Sequence, residues 1–208
     1  MRLIVIADIH SRTERIDALR NACAGADALI ACGDFTTFGD RAEIQKVADT
    51  LRPEGLPCFF VLGNCDASVS MSAELDGWTN LHGRVVPFGE WSLGGLGGTS
   101  EKHAAEPNKV MAYEYETGFR ALCEACDGMS GERLILVTHQ PPLGTSADKR
   151  MRRQHVGAGR VRLFIDTVKP ACCLCGHIHE SASRTACGKT IVLNPGPFVR
   201  GRFEILDL

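Results

Sequence analysis

Side chains that bind divalent metals stand directly after five short apolar runs of this sequence. The runs cover residues 3–7, 28–32, 58–62, 134–137 and 171–175. The polar residues that follow them in turn are Asp8 and His10, Asp34, Asn64 with Asp66, His139, and His177 with His179. Carboxylate, imidazole and amide ligands together suit borderline divalent metals such as Mn, Fe, Co, Ni and Zn.

The apolar runs predict the elements that must position these residues. Continuous apolar runs of this length are typical of strands buried on both faces, in a sheet covered by helices. Between and after them, apolar residues at helical spacing predict helices near residues 16–23, 44–51, 115–129 and 163–168, the last ending before Pro170. Shorter strands between turns are predicted at 84–88, 91–96, 184–186, 190–193 and 202–206. The alternation predicts a layered α/β fold.

Parallel strands bring the predicted ligands together, because their carboxyl ends meet at one crevice. We therefore expect one cluster of seven side chains: Asp8, His10, Asp34, Asn64, His139, His177 and His179. Four histidines and two aspartates exceed the need of one ion, whereas two ions sharing a carboxylate would use them and could clamp a phosphoryl group. Taken singly, each residue could be a helix cap, a turn residue or a hydrogen-bonded histidine. Their common placement after strands favours the metal site.

Composition narrows the class of protein further. The chain has 208 residues, of which 44% are hydrophobic and 23% charged, as expected for one domain spanning residues 1–208. The formal net charge is −2, and the basic run at 149–153 is predicted to be a solvated loop, so nucleic acid is not an expected partner. The sequence shows no signal-peptide core and no bilayer-length apolar stretch, so we expect a cytoplasmic protein with no membrane partner.

Ten cysteines are expected to be reduced in such a protein. Cys123 and Cys126 form a CxxC pair, and a second group of thiols lies at residues 172–175. A structural zinc site joining the two is conceivable, but the apolar surroundings favour burial of these thiols as small hydrophobic groups.

The motifs, taken in order, resemble those of the calcineurin-like metallophosphoesterase family. They are Asp8-x-His10, Gly33-Asp34, Gly63-Asn64-x-Asp66, Thr138-His139 and Gly176-His177-x-His179. The branch most similar is that of small, stand-alone phosphoesterases related to the Icc cyclic-nucleotide phosphodiesterase. The resemblance implies a four-layer αββα sandwich of two mixed β-sheets flanked by helices. It implies one metal held by Asp8, His10, Asp34 and His179, and a second held by Asp34, Asn64, His139 and His177, with Asp34 bridging.

The resemblance also implies an activity, in which a hydroxide bridging two divalent ions, with manganese among the candidates, attacks phosphorus. We expect hydrolysis of small phosphodiesters, such as nucleotides or cyclic nucleotides, in preference to phosphomonoesters, which are the second candidate substrate class. The alternative is a non-catalytic metal-binding scaffold or interaction module on the same fold. Because such modules lose metal ligands and this sequence keeps all seven, the enzyme is favoured. Self-association into a homo-oligomer is left open.

One position departs from the family pattern. Many members carry His between the Asn and the acidic residue, where it protonates the leaving alkoxide or stabilises the transition state, and this sequence has Cys65 there. A thiol is a poorer charge partner than imidazolium, so aryl diesters are expected to react much faster than alkyl diesters. Asp34, Asn64, Cys65 and Asp66 are the predicted catalytic residues of the motifs. Among the remaining histidines, His155 is preferred over His82 and His103 as a substitute acid, because its loop follows His139.

Overall fold

The computed structural model describes residues 1–100, 109–151 and 154–208. The first of two mixed sheets has the strand order β13-β1-β2-β3-β4. Its strands are β1 (Arg2–Ile6), β2 (Ala28–Cys32), β3 (Cys58–Val61), β4 (Thr79–Asn80) and β13 (Glu204–Asp207). Strands β1 to β4 run parallel, and β13 is antiparallel to β1.

The second sheet has the order β11-β12-β10-β7-β6-β5. Its strands are β5 (Val85–Phe88), β6 (Trp91–Leu96), β7 (Leu134–Thr138), β10 (Cys172–Leu174), β11 (Ser183–Cys187) and β12 (Thr190–Asn194). The four central strands are parallel, and both edge strands are antiparallel to their neighbours. A separate hairpin pairs β8 (Lys149–Arg150) with β9 (Gln154–His155).

Helices cover the outer face of each sheet. They are α1 (Ile16–Cys23), α2 (Arg41–Leu51), α3 (Lys109–Ala125) and α4 (Gly159–Val168). In β1, Leu3 and Val5 face the second sheet, whereas Ile4 and Ile6 face α1 and α2, because successive strand residues point to opposite sides. Leu136 of β7 packs outward on the α3 and α4 side. The predicted αββα sandwich is confirmed, with both faces of each central strand in an apolar layer.

The five strands predicted from apolar runs are present within one or two residues of their expected bounds. Helix α3 begins before the predicted residue 115 and ends at Ala125, ahead of Gly128, whose φ of 72° breaks the helical path. The two-residue strands β4, β8 and β9 were not predicted, because pairs this short carry no periodicity. Within the described ranges, no helix is long and apolar enough to span a membrane.

Candidate metal centre

The loops after the parallel strands are bonded to one another at a single edge of the sandwich. The amide of Asp8 donates to the Gly33 carbonyl at 3.0 Å, and the amide of His10 donates to the Asp34 carbonyl at 3.0 Å. Within the second sheet, the amide of Gly176 donates to the His139 carbonyl at 3.0 Å, and between the two sheets the amide of His177 donates to Oδ1 of Asp8 at 3.0 Å. These bonds fix the spacing between loops that are far apart in the chain, and thereby the spacing of the side chains they carry.

Four of the predicted ligands form a first group. Nε2 of His10 lies 3.2 Å from Nε2 of His179 and 3.8 Å from Oδ2 of Asp34. Nε2 of His179 lies 3.6 Å from Oδ1 of Asp8. Two atoms bound to one ion at about 2.1 Å are separated by roughly 3.0–3.4 Å. The distance between the two histidine nitrogens lies in this range, and the two distances to carboxylate oxygens exceed it by 0.2–0.4 Å. Two Nε2 atoms facing each other can form a direct hydrogen bond only if one carries a proton.

The remaining ligands form a second group around the same aspartate. Nε2 of His139 lies 3.1 Å from Oδ1 of Asn64 and 3.5 Å from Oδ1 of Asp34. The rings of His139 and His177 meet edge to face with centroids 5.0 Å apart. Asp34 therefore lies between the two groups, with Oδ2 toward His10 and Oδ1 toward His139, which is the position that the family resemblance implies for a bridging ligand.

The protonation of His139 makes the second group electron-rich. Its Nδ1 lies 2.8 Å from the carbonyl oxygen of Cys32, which can only accept, so Nδ1 carries the proton. In the neutral ring Nε2 then presents a lone pair toward the Asn64 and Asp34 oxygens, which also present lone pairs. His139 and Asp34 are buried, so water does not relieve this convergence of acceptors. A divalent cation would satisfy all three, and a carbonyl behind the imidazole is the usual support of a metal-binding histidine.

Four of the seven predicted ligands adopt left-handed backbone conformations that L-residues rarely populate. Their φ angles are 55° for Asp8, 50° for His10, 56° for Asp34 and 69° for His177. Each such residue costs of order 1–3 kcal/mol and persists only where the surrounding structure holds it, typically at functional sites. The strain is concentrated here, since these four are among seven non-glycine residues with positive φ in the described ranges.

Close contacts leave no room for side chains at two motif glycines. A Cβ at Gly33 would lie 2.6 Å from Nδ1 of His139, and one at Gly63 would collide with the Asp34 carboxylate. These glycines therefore allow the loops to approach closely enough for the ligands to meet.

Asp66 braces the cluster from behind. Its buried carboxylate accepts hydrogen bonds from the amides of Phe35 at 3.1 Å, Thr36 at 2.9 Å and Gly63 at 3.0 Å, and also from the Thr36 hydroxyl. It thus ties the loop that carries Asp34 to the loop that carries Asn64. Burial, followed by the charge of Asp34, raises the pKa of Asp66 to about 6. Because its oxygens are bonded to these loops, Asp66 has the contacts of a positioning residue. The catalytic role predicted for Asp66 from the sequence stays a prediction.

Charges within the cluster alter two ligand pKa values in opposite directions. Burial opposes ionisation of Asp8, but the hydrogen bond with His179 and the nearby imidazoles hold the pKa of Asp8 below its ordinary value. The same hydrogen bond raises the pKa of His179. The Asp8 carboxylate also accepts from the amide of His177 at 3.0 Å. The centre therefore concentrates negative charge that a cation can neutralise.

Cys65 lies at the edge of this centre. Its amide donates to Oδ1 of Asp34 at 2.8 Å, and its thiol lies close enough to His10 and Asp34 to count as a third potential ligand. Burial and the neighbouring Asp34 carboxylate raise the pKa of the Cys65 thiol well above its usual range. In the metal-free protein the thiol is therefore neutral near pH 7.

The three histidines outside the cluster differ in their surroundings. His82 is buried, with Nδ1 accepting from the Gly97 amide at 3.0 Å and Nε2 bonded to the Glu114 carbonyl at 3.2 Å, so both ring nitrogens are occupied. His155 pairs with Asp148 on the β8–β9 hairpin. His103 lies outside the described residues.

Two supporting residues were not predicted from the sequence. Buried Asn194 donates to the Ile178 carbonyl at 3.1 Å and accepts from the Gly196 amide at 2.8 Å, which fixes the loop that carries His177 and His179. Asp148 is fully buried beside His155. The only sequence pattern that could have indicated a structural role for Asp148 is the Thr145-x-x-Asp148 spacing of a capping box.

The other cysteines form no second metal cluster among the described residues. All ten thiols are unpaired. Cys123 lies on α3 and Cys126 directly follows its last residue, while the thiols of residues 172–175 are buried in and after β10. Among the described residues, no group of three metal-capable side chains includes any of them. Burial as small hydrophobic residues accounts for them, and the zinc alternative has no support in this part of the chain.

Comparisons with known proteins identify the superfamily of this chain and agree with its fold. The family model of the calcineurin-like phosphoesterase superfamily domain matches residues 1–205, so the chain belongs to this superfamily. An uncharacterized protein of Methanocaldococcus jannaschii is 32% identical over 203 residues, covering 95% of this chain and 88% of its own length.

Solved structures show the same fold at low sequence identity. The phosphopantetheinyl hydrolase of Mycobacterium tuberculosis superposes with a TM-score of 0.69 at 14% identity, over 94% of this chain and 89% of its own. A dimetal phosphatase of Danio rerio superposes with a TM-score of 0.66 at 12% identity, over 99% of this chain and 91% of its own. Membership of the superfamily supports metal-dependent phosphoester hydrolysis as the general activity.

Proposed function

We propose that this protein is a dinuclear-metal phosphoesterase that hydrolyses small phosphodiesters, with nucleotides and cyclic nucleotides as the candidate substrates. The observation that carries the proposal is the convergence of lone-pair atoms on both sides of the Asp34 carboxylate. Asp8, His10, Asp34 and His179 would hold one divalent cation. Asp34, Asn64, His139 and His177 would hold the other. Mixed nitrogen and oxygen donors favour Mn, Fe, Co, Ni or Zn.

In this proposal, the cations carry out the chemistry and groups of the chain position them. When bound, the two cations supply an activated water and neutralise charge that develops on the phosphoryl oxygens. The Cys32 carbonyl keeps the Nε2 lone pair of His139 pointed into the centre. Asp66 holds the loops of Asp34 and Asn64 at a constant separation, so that the centre is preorganised before substrate arrives.

The shape of the centre fits a small substrate. The side chain of His179 is 34% exposed and that of His10 is 17% exposed, whereas Asp8, Asp34 and His139 are buried beneath them. A phosphoryl group can therefore approach from the side of these two histidines. The preference for diesters rests on the resemblance to the Icc-related branch, and a cytoplasmic location fits the ten unpaired thiols.

The proposal is tested by metal-dependent turnover of bis-p-nitrophenyl phosphate and p-nitrophenyl phosphate. Protein stripped with a chelator should be inactive and should recover with Mn²⁺. Asp34→Asn should lower kcat/KM by about 100-fold or more, since it weakens the shared ligand of both ions. Asp40→Asn is the matched control, because Asp40 caps α2 on the surface and Asn caps a helix equally well.

The outcomes separate the alternatives. Full activity of Asp34→Asn would overturn the metal assignment. Metal binding without turnover of either substrate would favour a non-catalytic scaffold. A higher kcat/KM on p-nitrophenyl phosphate than on the diester would leave the phosphoesterase intact and remove the diester preference.

A further inference from the structure

We propose that Asp148 and His155 form a catalytic dyad in which His155 protonates the leaving oxygen of the substrate and Asp148 positions the imidazole. The inference rests on the proposed phosphoesterase function and supplies the acid that the motif lacks at Cys65. It extends the substrate class to diesters with poor, alkyl leaving groups.

Asp148 has the surroundings of a fixed carboxylate. It is fully buried, and its two oxygens accept four hydrogen bonds. Three come from the backbone amides of Gly144 at 2.9 Å, Thr145 at 3.1 Å and Gly157 at 3.1 Å. The fourth comes from Nδ1 of His155 at 2.6 Å. The carboxylate thus has no freedom to rotate, and the short, charge-assisted bond fixes the plane of the imidazole.

The bond to Asp148 also sets which nitrogen of His155 is available. A carboxylate accepts the Nδ1 proton, so Nε2 is the nitrogen that exchanges protons with other molecules. Within the part of the chain that the structure describes, no group is bonded to Nε2, and the side chain is 41% exposed. A carboxylate behind an imidazole holds the ring in one tautomer and one orientation, with Nε2 directed away from the carboxylate. His82 lacks this freedom, because both of its nitrogens are bonded to the backbone.

The dyad lies beside the metal centre. His155 pairs with Lys149 across the β8–β9 hairpin, and the Lys149 carbonyl accepts from the hydroxyl of Ser181, two residues after His179. On the other side, the Gln140 side chain, next to His139, donates to the Val156 carbonyl at 3.1 Å. His155 is therefore flanked by the segments that follow two of the predicted metal ligands, His139 and His179.

The proposed step is balanced in atoms and charge. As water oxygen bonds to phosphorus, the P–O bond to the leaving group breaks and its electron pair stays on the leaving oxygen. The Nε2 proton of the imidazolium passes to that oxygen, which departs as an alcohol. The proton released by the attacking water restores the imidazolium through solvent, so no further reactant is needed.

The test compares leaving groups on the metal-loaded enzyme. His155→Asn retains an amide donor for Asp148 while removing Nε2. It should lower kcat on an alkyl diester, such as a 3′,5′-cyclic nucleotide, by about 100-fold, the usual contribution of a general acid. Turnover of bis-p-nitrophenyl phosphate should change by less than about threefold, because p-nitrophenolate leaves without a proton, and KM should stay constant for both. Gln154→Ala, an exposed neighbour on the same strand, is the matched control.

Asp148 is tested through a double-mutant cycle. Asp148→Asn should lower alkyl-diester kcat by about tenfold in the wild type and have no further effect in the His155→Asn background, since it acts through the imidazole. Equal losses on both substrates, or losses that multiply in the double variant, would show a structural role and overturn the dyad. A wild type active on the aryl diester but inert toward alkyl diesters would also overturn it, with the proposed function intact. Inactivity toward both substrates would overturn the phosphoesterase proposal itself.

Discussion

Replacing Gly33 with alanine tests how tightly the loops of the metal centre are packed. Gly33 has φ of +91°, and an added Cβ would lie 2.6 Å from Nδ1 of His139 and 2.8 Å from the amide nitrogen of Gly63. Gly25, at the end of α1, has a similar φ of +79° but no atom within 4 Å of the position of its Cβ. The two substitutions therefore share the cost of a left-handed alanine and differ in the steric contact.

The magnitudes follow from these contacts. A left-handed L-residue costs about 1–2 kcal/mol, which is the whole effect expected for Gly25→Ala. Overpacking adds about 1–3 kcal/mol, so Gly33→Ala should lower the free energy of unfolding by about 2–5 kcal/mol. To reach an ordinary contact of 3.4 Å, the His139 ring must shift by roughly 0.8 Å. A displacement near 1 Å in a catalytic group can cost about 100-fold in rate.

Urea denaturation and steady-state turnover of bis-p-nitrophenyl phosphate measure both effects on the same samples. We expect Gly25→Ala to retain full activity, and Gly33→Ala to lose about 10- to 100-fold in kcat/KM along with its stability. Equal destabilisation of the two variants, with activity preserved in both, would refute the proposed contact between the Gly33 loop and His139.

Two further predictions use the pKa shifts at the centre. The hydrogen bond with Asp8 raises the pKa of His179 above the ordinary value of 6.5, so protons compete with a metal ion for Nε2 while the pH is still above 6.5. The affinity for Mn²⁺, measured by calorimetry, should therefore fall by about tenfold or more from pH 8 to pH 6. An affinity that does not change between these values would exclude His179 as a ligand. Burial and the Asp34 carboxylate raise the pKa of the Cys65 thiol. In chelator-treated protein at pH 8, iodoacetamide should therefore alkylate Cys65 far more slowly than it alkylates free glutathione, which serves as the reference thiol. Rapid alkylation of Cys65, measured by mass spectrometry, would contradict this.

Much of the fold could be predicted because a central strand in this sandwich is buried on both faces. Residues such as Leu3 and Ile4 must both be apolar when one faces a sheet and the other a helix, so the strand appears as a continuous apolar run. The clustering of the ligands followed from the same strands, since the loops after parallel strands share one edge. Superfamily membership then confirmed the family that the motifs resemble.

Other features depend on contacts that have no local pattern. The β8–β9 hairpin has only two residues in each strand, and its polar sequence was expected to form a loop. The burial of Asp148 results from amides at residues 144, 145 and 157 closing around it, and the capping-box spacing of Thr145 and Asp148 indicates only the contact with residue 145. The left-handed backbone of Asp34 was equally hidden, because that conformation normally favours glycine.

We propose that seven side chains, with Asp34 shared, hold two divalent cations. Anomalous diffraction from crystals soaked in Mn²⁺ locates these ions, because each peak marks an ion without reference to activity. We expect two strong peaks, one bounded by Asp8, His10 and His179 and the other by Asn64, His139 and His177, with the Asp34 carboxylate between them. A fully soaked crystal with no peak at this position, or with manganese bound only elsewhere on the protein, would contradict the account.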